Sequence, residues 1–173
     1  LVTKSAHGGP AAVRHSGVEA SRAPFVFFLD SEETLYPKAL ARLRGALAES
    51  AATFAYGIVQ RVGVEPGLSN YLPWDVDRLC TGNYLSGAAL VRRQALEQLG
   101  GLQEAPVTMS GSEEYDLWLR FAAEGYHGTL LPEVVVRRQN GPRNRLSRTK
   151  TVGRGEPDRR LRDRYPALPW PAP

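Results

Sequence analysis

Phe25-Val26-Phe27-Phe28-Leu29-Asp30-Ser31-Glu32-Glu33 is an apolar run that stops abruptly at a knot of carboxylates. Five consecutive large apolar residues between Pro24 and Asp30 are too few to span a membrane. They read as a strand buried on both faces, of the kind found in the middle of a parallel sheet. In open α/β sheets, ligands bind beyond the carboxyl ends of such strands. Acids gathered there are costly unless they hold a cation or do proton chemistry. They also suit a helix-capping turn, because Thr34 and Pro37 open a helical stretch directly afterwards. On this stretch alone both readings stand.

Working outward, residues 8–22 have a helical pattern, with Pro10 in a first-turn position. A second helix runs from Pro37 to about Glu49, with Leu40, Leu43 and Leu47 spaced to face a core. Residues 53–60 read as a strand, and the Gly-, Pro- and Asn-rich stretch from Gly63 to Asp77 as a surface excursion. Tyr84–Val91 resembles a short strand, and Arg92–Leu99 a helix stopped by Gly100-Gly101. Ser110-Gly111-Ser112-Glu113 matches a capping box, ahead of a helix whose Leu117 and Phe121 share a face and whose exit suits Gly125. A last strand, Thr129–Val136, is interrupted by Pro132. Strands alternating with helices imply an α/β sheet.

The 173 residues suffice for one compact domain with a core, and 42% hydrophobic with 23% charged residues is ordinary soluble globular material. No apolar run approaches a transmembrane helix, and the N-terminus lacks a signal-peptide pattern. The single Cys80 excludes an internal disulfide and a cysteine zinc cluster. Met109 is the only methionine and the chain opens on Leu1, so an excerpt or processed product of a longer polypeptide is expected. The net charge of +4 conceals an asymmetry: Arg137–Arg164 holds 11 Lys/Arg against 3 acids, on a net acidic body. Such a stretch suits an anionic membrane, an acidic partner or nucleic acid. It lacks the interleaved aromatics of a single-strand binder, which makes nucleic acid the weaker choice. Its Pro166, Pro169, Pro171 and Pro173 point to a solvated, partly disordered extension, so the expected division is 1–138 as the folded domain and 139–173 as a basic, Pro-rich tail.

Two acidic clusters stand apart: Asp30/Glu32/Glu33 after a strand, and Glu113/Glu114/Asp116 opening a helix. The second has a structural excuse, since the helix dipole favours acids there. Their order with other features is more specific. Gly8-Gly9-Pro10-Ala11-Ala12-Val13-Arg14-His15-Ser16-Gly17-Val18 precedes the acidic strand end. Asn83-Tyr84-Leu85-Ser86-Gly87-Ala88-Ala89-Leu90-Val91-Arg92-Arg93 lies between the clusters, and Leu99-Gly100-Gly101-Leu102 leads to Glu113-Glu114-Tyr115-Asp116-Leu117-Trp118-Leu119-Arg120.

From about Gly8 to Arg138 this series resembles the family-2 glycosyltransferases of the GT-A fold. The resemblance implies an incomplete GT-A-type, Rossmann-like α/β domain: a mainly parallel sheet flanked by helices, without the N-terminal part that grips the nucleobase. It implies transfer of a sugar from a nucleotide-sugar donor to an acceptor hydroxyl, metal-assisted and inverting. Asp30 matches the first Asp of the family's Asp-x-Asp-type motif and Glu32 replaces the second, so these two would hold Mg²⁺ or Mn²⁺. Arg14, Asp30 and Ser31 would meet the nucleotide sugar, although Arg14 reads equally well as a helix-surface charge. Glu113-Glu114 occupies the place of the family's Glu-Asp pair, with Glu114 on the catalytic-base position. Asn83, Gly87 and Ala88 would wall the acceptor side, and Trp118 would be a sugar platform or a core residue. The family's late His, which can reach the metal, is replaced at Arg137-Arg138-Gln139. Expected partners are the donor, a saccharide, lipid-linked or protein acceptor, and an anionic membrane touched by the tail, which implies a cytoplasmic location at the inner membrane face.

Two rivals remain. A degenerate GT-A-like scaffold would explain Glu in place of Asp at both clusters. A haloacid-dehalogenase-type phosphatase would use Asp30 as nucleophile and Glu32 as proton donor, but needs a lysine for which only Lys150 in the basic stretch offers itself.

Overall fold

In a computed structural model the chain is described over residues 10–100, 113–141 and 159–172. Its elements are α1 (Pro10–Ala20), β1 (Phe25–Phe27), β2 (Glu33–Leu35), α2 (Ala39–Ala48), β3 (Phe54–Gly63) and β4 (Gly67–Ser69). There follow α3 (Val76–Thr81), β5 (Ala89–Arg92), α4 (Arg93–Gln98), α5 (Glu113–Ala123), β6 (Gly128–Asn140) and α6 (Arg159–Arg164).

The sheet is built on β3 and β6, which pair in parallel from Phe54↔Gly128 to Gly63↔Asn140. Gly57 pairs with Leu131 but Ile58 with Val134, so Pro132 and Glu133 bulge out of β6. Proline has no N–H to give a ladder and is tolerated at such a bulge. Gly57 is required beside it, because a Cβ there would lie 2.7 Å from a methyl of Val135. The strand order is β1-β5-β3-β6-β2, with β4 paired to β3.

The α/β class with flanking helices is as expected, but the pairing is mixed rather than mainly parallel. β5 runs antiparallel between β1 and β3, and β2 runs antiparallel to β6. The strands β1, β3 and β6 do share one direction, and the short β5 and β2 reverse it. The opening apolar run is also placed differently. Only Phe25–Phe27 is strand, it lies at the end of the sheet, and its residues are half-buried. Leu29 is 48% exposed, because no described strand covers that edge.

Two apolar layers flank the sheet. On one face α2 contributes Ala39, Leu43 and Leu47 against Val59, Val135 and Val136. Leu40 is off this stripe and exposed, since the i, i+4, i+8 positions, not Leu40, point inward. On the other face Phe54 stacks on Trp118 at 4.8 Å, with Tyr56, Phe121 and Trp74 around them.

The basic C-terminal stretch is not simply a tail. Leu161, Tyr165 and Leu168 are buried in that same aromatic layer. The Tyr165 hydroxyl donates to Asp116 Oδ1 at 2.8 Å, and Arg164 lies 3.2 Å from the same oxygen. Apolar residues at i, i+4 and i+7 outweigh the surrounding arginines here. The expected capping box at Ser110–Ser112, most of the basic run and Lys150 lie outside the described residues.

Candidate functional site

The site forms where the segment leaving β1 meets the loop entering β5. Those strands pair antiparallel with Phe27 opposite Leu90, so the chain leaving β1 toward Asp30 and the chain entering β5 from Gly87 lie at the same end of the pair. A turn follows at once, the Glu33 N–H donating to the Asp30 carbonyl at 2.9 Å. The Gly87 loop is held by Asn70, a buried residue in the left-handed region (φ 64°). Its amide nitrogen donates to the Gly57 carbonyl at 3.2 Å and its oxygen accepts from the Ser86 N–H at 2.7 Å. Helix α1 is fixed by Arg93, which donates to the carbonyls of Val18, Ser21 and Ala23 beyond the helix and at its end.

Arg14, on α1, reaches between two carboxylates. Its Nη2 donates to Asp30 Oδ1 at 2.7 Å and to Glu114 Oε1 at 3.3 Å. Glu114, in the first turn of α5, accepts the Gly87 N–H on its other oxygen at 2.8 Å. Burial pushes the Glu114 carboxyl above its ordinary range; Arg14, Arg138 and the Gly87 N–H pull it back, and Asp30 adds to the rise. Arg14 itself is raised, the two carboxylates outweighing its desolvation. A cleft of about 360 Å³ runs from Arg14 along Val18 and Ser21 of the α1 segment and residues 25–29.

Of the expected site residues, the fold therefore brings Arg14, Asp30 and Glu114 together. Glu32 is exposed, and it is Glu33 that turns inward, where it takes two N–H bonds from Arg138. Glu33 and Arg138 are cross-strand partners in the β2–β6 ladder, so their side chains share a face. Arg138 Nη2 also lies 3.9 Å from Asp30 Oδ2, which puts a second guanidinium at the site. Sequence reasoning missed this pair; pairing the alternation of residues 33–35 with that of 136–138 would have exposed it. Ser31 is exposed in the turn beside Asp30, and Glu113 is half-buried at the start of α5.

The acceptor wall is largely corrected. Ala88 is fully buried in the α2-side core and Trp118 is 1% exposed in the aromatic layer, so neither can touch a substrate. The period of α5 turns Trp118 inward with Tyr115 and Phe121. Asn83 closes a local turn, its Oδ1 accepting the Leu85 N–H at 3.1 Å. Gly87 makes room not for a sugar but for Glu114: a Cβ there would lie 2.6 Å from Glu114 Oε1.

Asp30 offers carboxylate oxygens of the kind a hard divalent cation takes. Asp30, Glu33 and Glu114 set three carboxylates against the guanidinium groups of Arg14 and Arg138, which leaves an excess of negative charge. No group of three or more His, Cys, Asp or Glu among the described residues is arranged to hold an ion alone.

Mixed α/β architecture, a strand end bearing an acid and a helix start bearing a half-buried carboxylate are an arrangement similar to a known glycosyltransferase fold. The particular likeness is to TarS of S. aureus. TarS 1-349 in complex with UDP-GlcNAc superposes with a TM-score of 0.65 at 15% identity, covering 81% of this chain and 41% of that one. The same protein in complex with UDP gives 0.58 at 16% identity, covering 78% and 41%. In sequence, the O-antigen biosynthesis protein RfbC of Myxococcus xanthus is 33% identical over 128 residues, which is 70% of this chain and 10% of that protein. No protein-family model matches the chain. The chain thus spans a tenth of this curated relative's length and about two fifths of TarS 1-349. Together these likenesses bear out the resemblance to part of a family-2-like glycosyltransferase.

Proposed function

We propose that the chain forms the acceptor-side part of a GT-A, family-2 glycosyltransferase that moves a sugar from a nucleoside-diphosphate donor to an acceptor hydroxyl with inversion. The observation that carries this is the meeting of Arg14, Asp30 and Glu114 at one point. The UDP-GlcNAc and UDP complexes of the TarS fold support a nucleotide-sugar donor. The O-antigen name of the Myxococcus relative supports a saccharide acceptor. No described helix is long and apolar enough to cross a membrane.

Glu114 is the base in this reading. It takes the proton of the acceptor hydroxyl as that oxygen attacks the anomeric carbon, while the bond to the diphosphate breaks on the opposite side. The Gly87 N–H fixes one carboxylate oxygen and so orients the other. Burial raises the Glu114 proton affinity toward the working pH, which improves a general base. Arg14 donates to the diphosphate, for which a planar guanidinium is well matched. A divalent cation held by Asp30, with Glu32 beside it, would supply countercharge to the leaving group.

The test is transfer or hydrolysis of UDP-GlcNAc by the protein that carries this chain. Asp30→Ala and Glu114→Gln are each expected to lower turnover by at least about a hundredfold. Wild-type activity no greater than that of both variants would overturn the catalytic reading and leave a scaffold, whose binding should survive either change.

A further inference from the structure

We infer that Arg14 is a latch between the donor and acceptor sides of the site: it covers Glu114 until the diphosphate of a donor draws it away. This rests on the glycosyltransferase reading and extends it to the order of binding.

The geometry separates fixed groups from a movable one. Glu114 holds the Gly87 N–H on Oε2, a different oxygen from the Oε1 that Arg14 occupies. Asp30 keeps Arg138 near Oδ2, and Arg138 is itself tied to Glu33 through Nε and Nη2. Among the described residues Arg14 bridges Asp30 and Glu114 by hydrogen bonds, and it does so through a single nitrogen, Nη2. Its side chain is 20% exposed and it lines the cleft beside β1, so an anion entering there can reach it. A diphosphate offers a guanidinium several charged oxygens, a stronger set than one short bond and one long bond to shared carboxylates.

The consequence is directional. With Arg14 in place, the Glu114 oxygen that would face an acceptor hydroxyl is already an acceptor from a cation. Once Arg14 turns to the diphosphate, that oxygen is uncovered and its affinity for a proton rises. The charged and polar groups facing Glu114 are Arg14 from α1, Asp30 from the turn after β1, Arg138 from β6 and the Gly87 N–H. Only the first of these leaves. By linkage, Glu114 and the diphosphate compete for one guanidinium, and each weakens the other's hold on it.

A double-mutant cycle on UDP affinity, measured by calorimetry at pH 8 with MgCl₂, tests this in the protein that carries the chain. Removing the competing carboxylate with Glu114→Gln should tighten UDP by about three- to tenfold when Arg14 is present. Combined with Arg14→Gln, the same change should alter affinity by less than about twofold. An equal gain in both backgrounds means simple repulsion between Glu114 and the phosphates, and overturns the latch. No gain in either background overturns it too. A wild-type protein that binds no UDP removes the donor reading together with the latch, whereas UDP binding without coupling removes the latch alone. If Arg14→Gln does not fold, Arg14→Lys serves: its ammonium cannot fork between the carboxylates, so the gain from Glu114→Gln should shrink, and an undiminished gain would overturn the latch.

Discussion

Gly87 holds Glu114 from the backbone and yields its own side-chain space to it. The Gly87 N–H donates to Glu114 Oε2 at 2.8 Å, and a Cβ on residue 87 would stand 2.6 Å from Oε1 and 3.0 Å from Cδ. A methyl group at this position therefore pushes on the carboxylate that the proposed reaction uses. Gly87→Ala is expected to lower kcat/KM for sugar transfer by about a hundredfold, the scale of an ångström-sized displacement of a reacting group. The loss of stability should stay within about 1–3 kcal/mol. Steady-state kinetics beside a denaturant titration separates the two; unchanged kinetics would show that Glu114 is not the base.

The pH dependence follows from the raised proton affinity of Glu114. A base must be ionised, so kcat/KM should rise with pH through an inflection above the ordinary carboxylate range. Arg14 opposes the rise, so Arg14→Gln should move the inflection to still higher pH. Stability runs the other way. The folded state holds a proton that the unfolded chain has released, so the Glu114 contribution falls as pH climbs from the ordinary carboxylate pKa to the raised one. A pH–rate profile of wild type and Arg14→Gln checks the first effect, and thermal unfolding of wild type and Glu114→Gln across the same range the second.

Arg138 answers a buried acid. The Glu33 side chain is 1% exposed and takes its ion pair from this residue. Arg138→Met would strand that charge, and a loss of about 3–5 kcal/mol is expected. Glu33→Gln with Arg138→Met together should recover much of it, because the stranded charge is then gone. Urea unfolding of the two variants decides; equal losses would mean that the pair does not carry the turn that presents Asp30.

Trp118 distinguishes core from platform. It is 1% exposed and stacked on Phe54 at 4.8 Å, so Trp118→Ala should cost about 3–5 kcal/mol of folding free energy. At temperatures where the variant is still folded, its KM for the acceptor should be unchanged. A selective rise in KM with native stability would restore the sugar-contact role.

What could be read from the residues alone was the order of chemistry along the chain. Asp30 ends an apolar run, Glu114 opens a helix and Arg14 precedes both, and each is a local pattern. What could not be read depends on which way a side chain points once strands are paired. The choice between Glu32 and Glu33 is made by the β2–β6 register, which joins residues over a hundred positions apart. Gly87 looked like space for a sugar because the occupant of that space, Glu114, is 27 residues away. Ala88 and Trp118 were candidates by position and are core by burial. The place of β1 at the end of the sheet likewise rests on pairing, not on the run of five apolar residues that contains it.

The Tyr165 hydroxyl and Asp116 have a practical consequence for anyone dividing this polypeptide. Asp116 is 1% exposed and sits two residues beyond Glu114 on the same helix. A boundary drawn at residue 138, where charge and proline content change, would remove Leu161, Tyr165 and Leu168 from the aromatic layer and leave that aspartate without its phenol. The shortened protein would carry every residue named for chemistry and still lose the strut that keeps the helix in place. Charge composition, in this chain, marks where the surface changes and not where folding stops.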